Sequence, residues 1–187
     1  MRKSLQNFKI LGVDPGTNIL GYAILDVIDK QPKLLTYGII KLRGEESHGD
    51  KLKEIFLQLQ EIIETYLPKY MAVEAPFYGK NAQSMLKLGR AQGVAMAAAM
   101  TMGLEIFEYS PKKIKQSITG NGNASKEQVS AMLQQILRLK LDTEYLDATD
   151  ALAVAMTHYN QNSHTAQTGK KYSSWKAFVK ENQEKIK

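Results

Sequence analysis

This chain predicts an α/β fold in which a five-stranded mixed sheet is flanked by helices. Three observations lead there. The first forty or so residues hold three strand-like segments joined by short turns, and the next seventy alternate helical and strand periodicity. An alanine-rich helix opened by two aspartates follows before residue 160.

Taken in order, Lys9 to Asp14 reads as a buried strand, Pro15-Gly16-Thr17-Asn18 as a turn, and Ile19 to Leu25 as a second strand. Gly21 and Ala23 in that second strand leave room for close approach. Lys33 to Lys41 is a third strand, and the short connections make the three antiparallel neighbours. Between Asp50 and Tyr66, apolar residues such as Leu52, Ile55, Leu59, Ile62 and Ile63 recur at helical spacing until Pro68 stops the helix. Tyr70 to Glu74 is then a short apolar strand, reached by a crossover and so parallel to its neighbour. Asn81 to Thr101 is a long helix whose small residues, Gly89, Gly93, Ala95, Ala97, Ala98 and Ala99, are expected to pack in the core. Glu105 to Tyr109 is the fifth strand. Ser110-Pro111 caps and opens a helix, and Gly120-Asn121-Gly122-Asn123 is a turn. Ser125 with Gln128 is the capping-box signature of a helix carrying Val129, Met132, Leu133, Ile136 and Leu137. Asp147 to Tyr159 is the last helix of the main domain. From Asn160 the chain turns polar: 160–169 reads as structureless, and Ser173 to Lys187 as a short amphipathic helix on Trp175, Phe178, Val179 and Ile186. The expected organisation is one domain over residues 1–159 and a lysine-rich extension over 160–187.

Composition narrows the chemistry. The 187 residues contain no cysteine, which removes disulfides, zinc-thiolate sites and thiol nucleophiles together. No apolar run is long enough to span a bilayer, so no membrane association is expected. Met1-Arg2-Lys3-Ser4 leads into polar Gln6 and Asn7 with no apolar signal core, and a cytoplasmic location follows as the expectation. The net charge is +6, from 25 Lys and Arg against 19 Asp and Glu, and the segment from Asn160 carries six lysines against two glutamates. Positive surface around a localised acidic pit suits a phosphodiester backbone delivered to bound metal.

That acidic pit is read from four residues at the ends of apolar segments. Asp14 follows Ile10-Leu11-Gly12-Val13, Glu74 follows Met71-Ala72-Val73, and Asp147 and Asp150 stand one turn apart at the start of a helix. Buried carboxylates are costly unless a cation or proton neutralises them, and in open sheets ligands gather beyond the carboxyl ends of adjacent strands. Helix capping alone would account for either helical aspartate. The four together point to a divalent metal, and hard oxygen donors without sulfur select magnesium or manganese. Two such ions suit in-line hydrolysis of a phosphodiester. His158 lies two turns beyond Asp150, too far to share its metal, and reads as a surface or packing residue.

Four motifs carry a resemblance. Leu11-Gly12-Val13-Asp14-Pro15-Gly16-Thr17, Val73-Glu74-Ala75-Pro76-Phe77, Lys80-Asn81-Ala82 with Lys87-Leu88-Gly89, and Asp147-Ala148-Thr149-Asp150-Ala151-Leu152-Ala153 resemble, in order and spacing, those of the RuvC family of bacterial Holliday-junction resolvases. The resemblance implies an RNase H-like fold and a magnesium-dependent crossover junction endodeoxyribonuclease, with two Mg2+ per site and Mn2+ as a substitute. It also implies a homodimer that makes paired symmetric nicks in four-way junction DNA during recombination and repair, working with RuvA and RuvB. Carried over by position, it makes Asp14, Glu74, Asp147 and Asp150 metal ligands and catalytic residues, with Lys115 and Lys126 near the scissile phosphate. It assigns Phe77 to stacking on an unpaired base, and Lys80 and Asn81 to the backbone. The chain departs from the family at Gly89-Arg90-Ala91-Gln92-Gly93, where relatives read Gly-Gln-Ala-Arg-Gly; the two-residue shift turns the basic group about 200° around the helix. A nuclease of the same fold acting on RNA or another DNA structure would show the same metal logic. The actin and sugar-kinase ATPases also open on an aspartate and a glycine turn, but they enclose nucleotide between two such domains.

Overall fold

The computed structural model describes residues 7–42, 44, 47–75, 81–142 and 146–167, with 163–167 described by backbone alone. Its elements run β1 (Phe8–Asp14), β2 (Ile19–Ile28), β3 (Gln31–Lys41), α1 (His48–Tyr66), β4 (Tyr70–Glu74), α2 (Ala82–Thr101), β5 (Glu105–Tyr109), α3 (Pro111–Thr119), α4 (Lys126–Leu137) and α5 (Leu146–Gln167). The five strands form one sheet in the order β3-β2-β1-β4-β5. β1 to β3 are antiparallel, while β4 pairs parallel with both β1 and β5, as the connection lengths require.

Period-two alternation sorts the strands' side chains between two cores. Leu11, Val13, Met71 and Val73 face α1 and α2, where they meet Ile55, Leu59, Ala95, Ala98 and Ala99. Ile10, Ala23, Leu25 and Ala72 face the other way and pack with α3, α4 and α5 through Ile114, Ile118, Leu133, Leu152 and Met156. Gly12 belongs to this second face by alternation, and so do Asp14 and Glu74 at the ends of their strands.

Helix α5 sits on that face at two bare backbone positions. A Cβ at Gly12 would lie 2.1 Å from the Ala151 carbonyl oxygen and 2.9 Å from the Ala155 Cβ. A Cβ at Gly21 would lie 2.0 Å from the Asp147 carbonyl oxygen. The close approach expected at Gly21 is therefore the approach of the helix that carries both aspartates. Ala148, Ala151 and Ala155 keep the helix side of this contact equally thin, all three of them buried.

The helix ends follow their chemistry. Ser47, Asn81, Ser110 and Ser125 are N-caps, each accepting a backbone N–H in the first turn, and Ser125 with Gln128 completes the capping box. α1 closes on Leu67 in the left-handed region, followed by Pro68, and α3 closes on Gly120 at φ 76°.

Three expectations are corrected. β2 and β3 meet in a longer hairpin than the sequence suggests, turning on Asp29 and Lys30 with φ of 50° and 63°. Two consecutive positive-φ residues are what a tight hairpin requires, and an Asp-Lys pair does not advertise it as Asn-Gly would. Pro32 is tolerated inside β3 because that strand lies at the sheet edge. Gly89 and Gly93 are not core residues: nothing lies within 4 Å of a Cβ at either, and only the Ala91, Gln92, Ala95, Ala98 and Ala99 face of α2 is buried. The helix expected to end at Tyr159 continues to Gln167, so 160–167 is helical where a structureless segment was expected. Its polar side chains find local partners, with Asn160 donating to Ser117 and Asn162 paired with His158. The amphipathic helix expected over 173–187 lies outside the described residues.

The glycine seats make a direct prediction. Gly21→Ala forces a methyl against backbone that cannot turn aside, so it should lower stability by about 1–3 kcal/mol, in the range of core overpacking. Urea denaturation measures it. A variant as stable as the parent would show that α5 does not rest on β2 as described.

Candidate active site

Alternation and register together set the acidic residues side by side. β1 and β4 are parallel neighbours with Val13 opposite Val73, so Asp14 and Glu74 leave adjacent strand ends on the same sheet face. The helix seat over Gly12 and Gly21 delivers the first turns of α5 to that edge. Asp14, Asp147 and Asp150 each offer a carboxylate oxygen within 4.8 Å of the others. Glu74 completes the rim: with Asp14, Asp150, Lys115 and Lys126 it lines a hollow of about 230 Å³. The four expected carboxylates and both expected lysines thus converge.

The electrostatics follow from crowding. Asp14 is pushed up to about 8, first by burial, then by the negative charges of Glu74, Asp150 and Asp147, with Lys126 pulling the other way. Glu74 is raised too, chiefly by burial and then by Asp150, against Lys126 and Lys115. Lys126 opens α4 and sets its Nζ 2.5 Å from Asp150 Oδ2. Its partial burial disfavours the ammonium, but the hydrogen bond to Asp150 and the charges of Asp150, Asp14 and Asp147 outweigh that and hold its pKa above the usual value. With 63% of the lysine side chain exposed, this ion pair adds little to stability. Hard oxygen donors, convergent and with one driven toward protonation, fit a divalent cation, which would relieve the repulsion that raises Asp14.

Two residues that the sequence reading missed anchor the site. Gln92, on the buried face of α2, donates from Nε2 to Glu108 Oε2 at 2.9 Å and to the Glu74 carbonyl at 3.4 Å. Ala75 N–H donates to the Tyr109 carbonyl at 2.9 Å, extending the β4–β5 ladder past Glu74. The end of β4 is thereby held from both sides. The departure noted at residues 89–93 gains a structural meaning here: the buried position 92 carries a neutral amide, while Arg90 faces solvent. A single polar residue among alanines at helical spacing was the available signal.

Elsewhere, Asn81 lies at the start of α2 and spends its Oδ1 on capping the Ser84 N–H. Phe77 and Lys80 lie outside the described residues. His158 is a packing residue: it is buried among Tyr70, Phe107 and Tyr109, with one ring nitrogen 2.7 Å from the Tyr109 hydroxyl and the other 2.9 Å from the Asn162 carboxamide. Burial lowers its pKa to about 4, so the ring is neutral at pH 7.

Gln92→Leu should remove the buried amide that ties α2 to the exposed Glu108 carboxylate and to the Glu74 carbonyl, and so free the end of β4. We expect a loss of about 0.5–1.5 kcal/mol in urea denaturation and a higher divalent-ion concentration for half-maximal thermal stabilisation. Unchanged values for both would show that Gln92 merely fills space.

The comparisons with known proteins come to the same place. The model of the crossover junction endodeoxyribonuclease RuvC family matches residues 10–158. The crossover junction endodeoxyribonuclease RuvC of Cytophaga hutchinsonii is 53% identical over 178 residues, covering 95% of this chain and 88% of the relative. That of Porphyromonas gingivalis is 51% identical over 183 residues, covering 95% and 96%. Among solved structures, Thermus thermophilus RuvC in complex with Holliday junction substrate superposes with a TM-score of 0.78 at 30% identity, over 84% of this chain and 96% of that one. With its five-stranded mixed sheet and converging carboxylates, this chain belongs to the RuvC family of crossover junction endodeoxyribonucleases.

Proposed function

We propose that the protein resolves four-way DNA junctions by paired symmetric nicks, using Mg2+ held by Asp14, Glu74, Asp147 and Asp150, with two ions per site and Mn2+ able to substitute. One observation carries this reading: two strand-end carboxylates in parallel register meet two from a helix seated on glycine. When bound, such ions lower the pKa of an attacking water and stabilise the leaving oxygen. The chain's own groups position the rest. Lys115 and Lys126 line the same hollow and offset the charge of the scissile phosphate. Phe77, three residues past Glu74, stacks on an unpaired base at the crossover, and Lys80 and Asn81 hold the adjoining backbone. The catalytic unit is residues 1–159, with 160–187 as its lysine-rich extension.

A homodimer suits a two-fold substrate cut in two places. Its support lies on α2, where Leu86 and Met100 are 63% and 55% exposed on the face that also carries the uncovered Gly89 and Gly93. Cooperation with RuvA and RuvB rests on the family alone. No helix among the described residues is long and apolar enough to cross a membrane, in keeping with action on DNA.

Incubation of the protein and Mg2+ with matched four-way, three-way and linear DNA, followed by strand mapping, tests the reading. Symmetric nicks confined to the four-way substrate are expected; equal cutting of all three, or preference for RNA, would overturn it. Asp14→Asn, Glu74→Gln and Asp150→Asn should each abolish cleavage yet retain junction binding, because each removes a metal ligand and also relieves repulsion of phosphate. Wild-type cleavage by Asp14→Asn would contradict the metal assignment.

The metal should also show itself without DNA. Because the Asp14 carboxyl is raised from 3.8 to about 8, the folded protein without metal holds a proton that the unfolded chain releases. Its contribution is therefore full below pH 4 and declines as pH rises toward 8. Asp14→Asn removes that decline, so its melting temperature relative to wild type should rise between pH 5 and 8. Magnesium should do the reverse in wild type, stabilising it more as pH rises through the same window and leaving Asp14→Asn unaffected. Differential scanning fluorimetry across pH, with and without Mg2+, reads both. A pH-independent effect of magnesium would contradict proton–metal competition at Asp14.

A further inference from the structure

Beyond the β1–β2 turn from Asp14 lies a second hollow, of about 380 Å³, that the catalytic reading does not use. Three separate segments build it. Thr17 and Asn18 come from the turn itself, Ser47, His48 and Lys51 from the start of α1, and Ser84 and Lys87 from the first turns of α2. Two lysines, hydroxyl groups and the first turns of two helices face one space, and among the described residues no carboxylate lines it. Asp50, three residues on from Ser47, accepts the Ser47 hydroxyl at 2.6 Å. Lys51 fixes the wall, donating to Asn18 Oδ1 at 2.9 Å and to the Thr17 carbonyl at 3.4 Å, which leaves one of its three ammonium protons. A separate observation points to a ligand. His48 Nε2 is buried without a hydrogen-bond partner, the one such side-chain nitrogen or oxygen among the described residues. Buried polar atoms rarely stay unpaired.

We propose that this hollow is a second phosphate site, which grips a backbone phosphate of the DNA strand running through the carboxylate cluster. Positive side chains and helix N-termini converging on a small space are the chemistry of phosphate recognition. The location supports a positioning role: Thr17 and Asn18 sit on the four-residue turn that follows Asp14, and α2 begins shortly after Glu74. A phosphate held here registers the strand so that its neighbour meets the catalytic carboxylates. Lys87 is the residue given over to charge, being exposed on α2, whereas Lys51 also braces the turn.

The inference rests on the junction-resolving reading, and the test separates the two. Junction affinity is measured in Ca2+ over a salt series for wild type, Lys87→Gln and Ser84→Asp, the last placing a carboxylate in the hollow while suiting the first turn of a helix. Melting temperatures equal to wild type verify folding. We expect the log–log salt slope to fall by about 0.7–0.9 in Lys87→Gln, the value for one phosphate contact, and Ser84→Asp to bind more weakly. A single methylphosphonate next to the cleaved linkage should weaken wild type and leave Lys87→Gln unaffected. A wild type that cuts junctions while Lys87→Gln keeps its slope and its methylphosphonate sensitivity would overturn the phosphate site alone, even if Ser84→Asp bound poorly. A wild type that neither binds nor cuts junctions would overturn the functional reading beneath it.

Discussion

Helix α5 lies directly on sheet backbone, and the site depends on that contact. Gly12 and Gly21 offer no side chain, and α5 answers with alanines, so helix and strands approach until the carbonyl oxygens of Ala151 and Asp147 occupy the space a Cβ would need. An ordinary helix–sheet spacing would hold Asp147 and Asp150 farther from the strand ends. The glycines thus act on chemistry at a distance along the chain: they set a separation, and the separation sets which carboxylates meet. Parallel register of β1 and β4 supplies the remaining coordinate, by aligning Asp14 with Glu74.

Bringing four carboxylates together works against folding. Burial and mutual repulsion push Asp14 up to about 8 and raise Glu74, and the protein answers with Lys126 on Asp150 and Lys115 nearby. Those lysines do not neutralise the cluster. The remaining negative charge is a standing preference for a cation, and the surrounding excess of Lys and Arg draws in a polyanion without filling the acidic pit. Acids and bases come from different elements: acids from strand ends and one helix start, bases from α3, α4 and the starts of α1 and α2.

Asp14 and Glu74 were readable in the sequence because each ends an apolar strand, where a carboxylate has no local purpose, and Asp147 and Asp150 because they stand one turn apart at a helix start alongside them. The antiparallel opening, the parallel crossover and two of the helix caps were readable for similar reasons, since Ser110-Pro111 and Ser125 with Gln128 act over three or four residues. What escaped depends on distant partners. Gln92 looks like an interruption of an alanine face until β5 places Glu108 against it. His48 and Lys51 look like solvated residues until the β1–β2 turn folds beside them. Gly89 and Gly93 share the composition of a core face, yet the sheet covers only their neighbours. The Asp29-Lys30 turn was missed because its backbone conformation is imposed by the hairpin rather than favoured by its residues. The run of α5 past Tyr159 was missed because polar residues continue a helix without leaving an apolar period.

The central claim is that helix α5 and two parallel strands create one divalent-cation site, and anomalous scattering from crystals soaked with Mn2+ near pH 8 tests it most directly. The account predicts a manganese peak among Asp14, Asp147 and Asp150, with Glu74 on its rim. Manganese bound at other side chains, with the Asp14 carboxyl left unliganded, would contradict it.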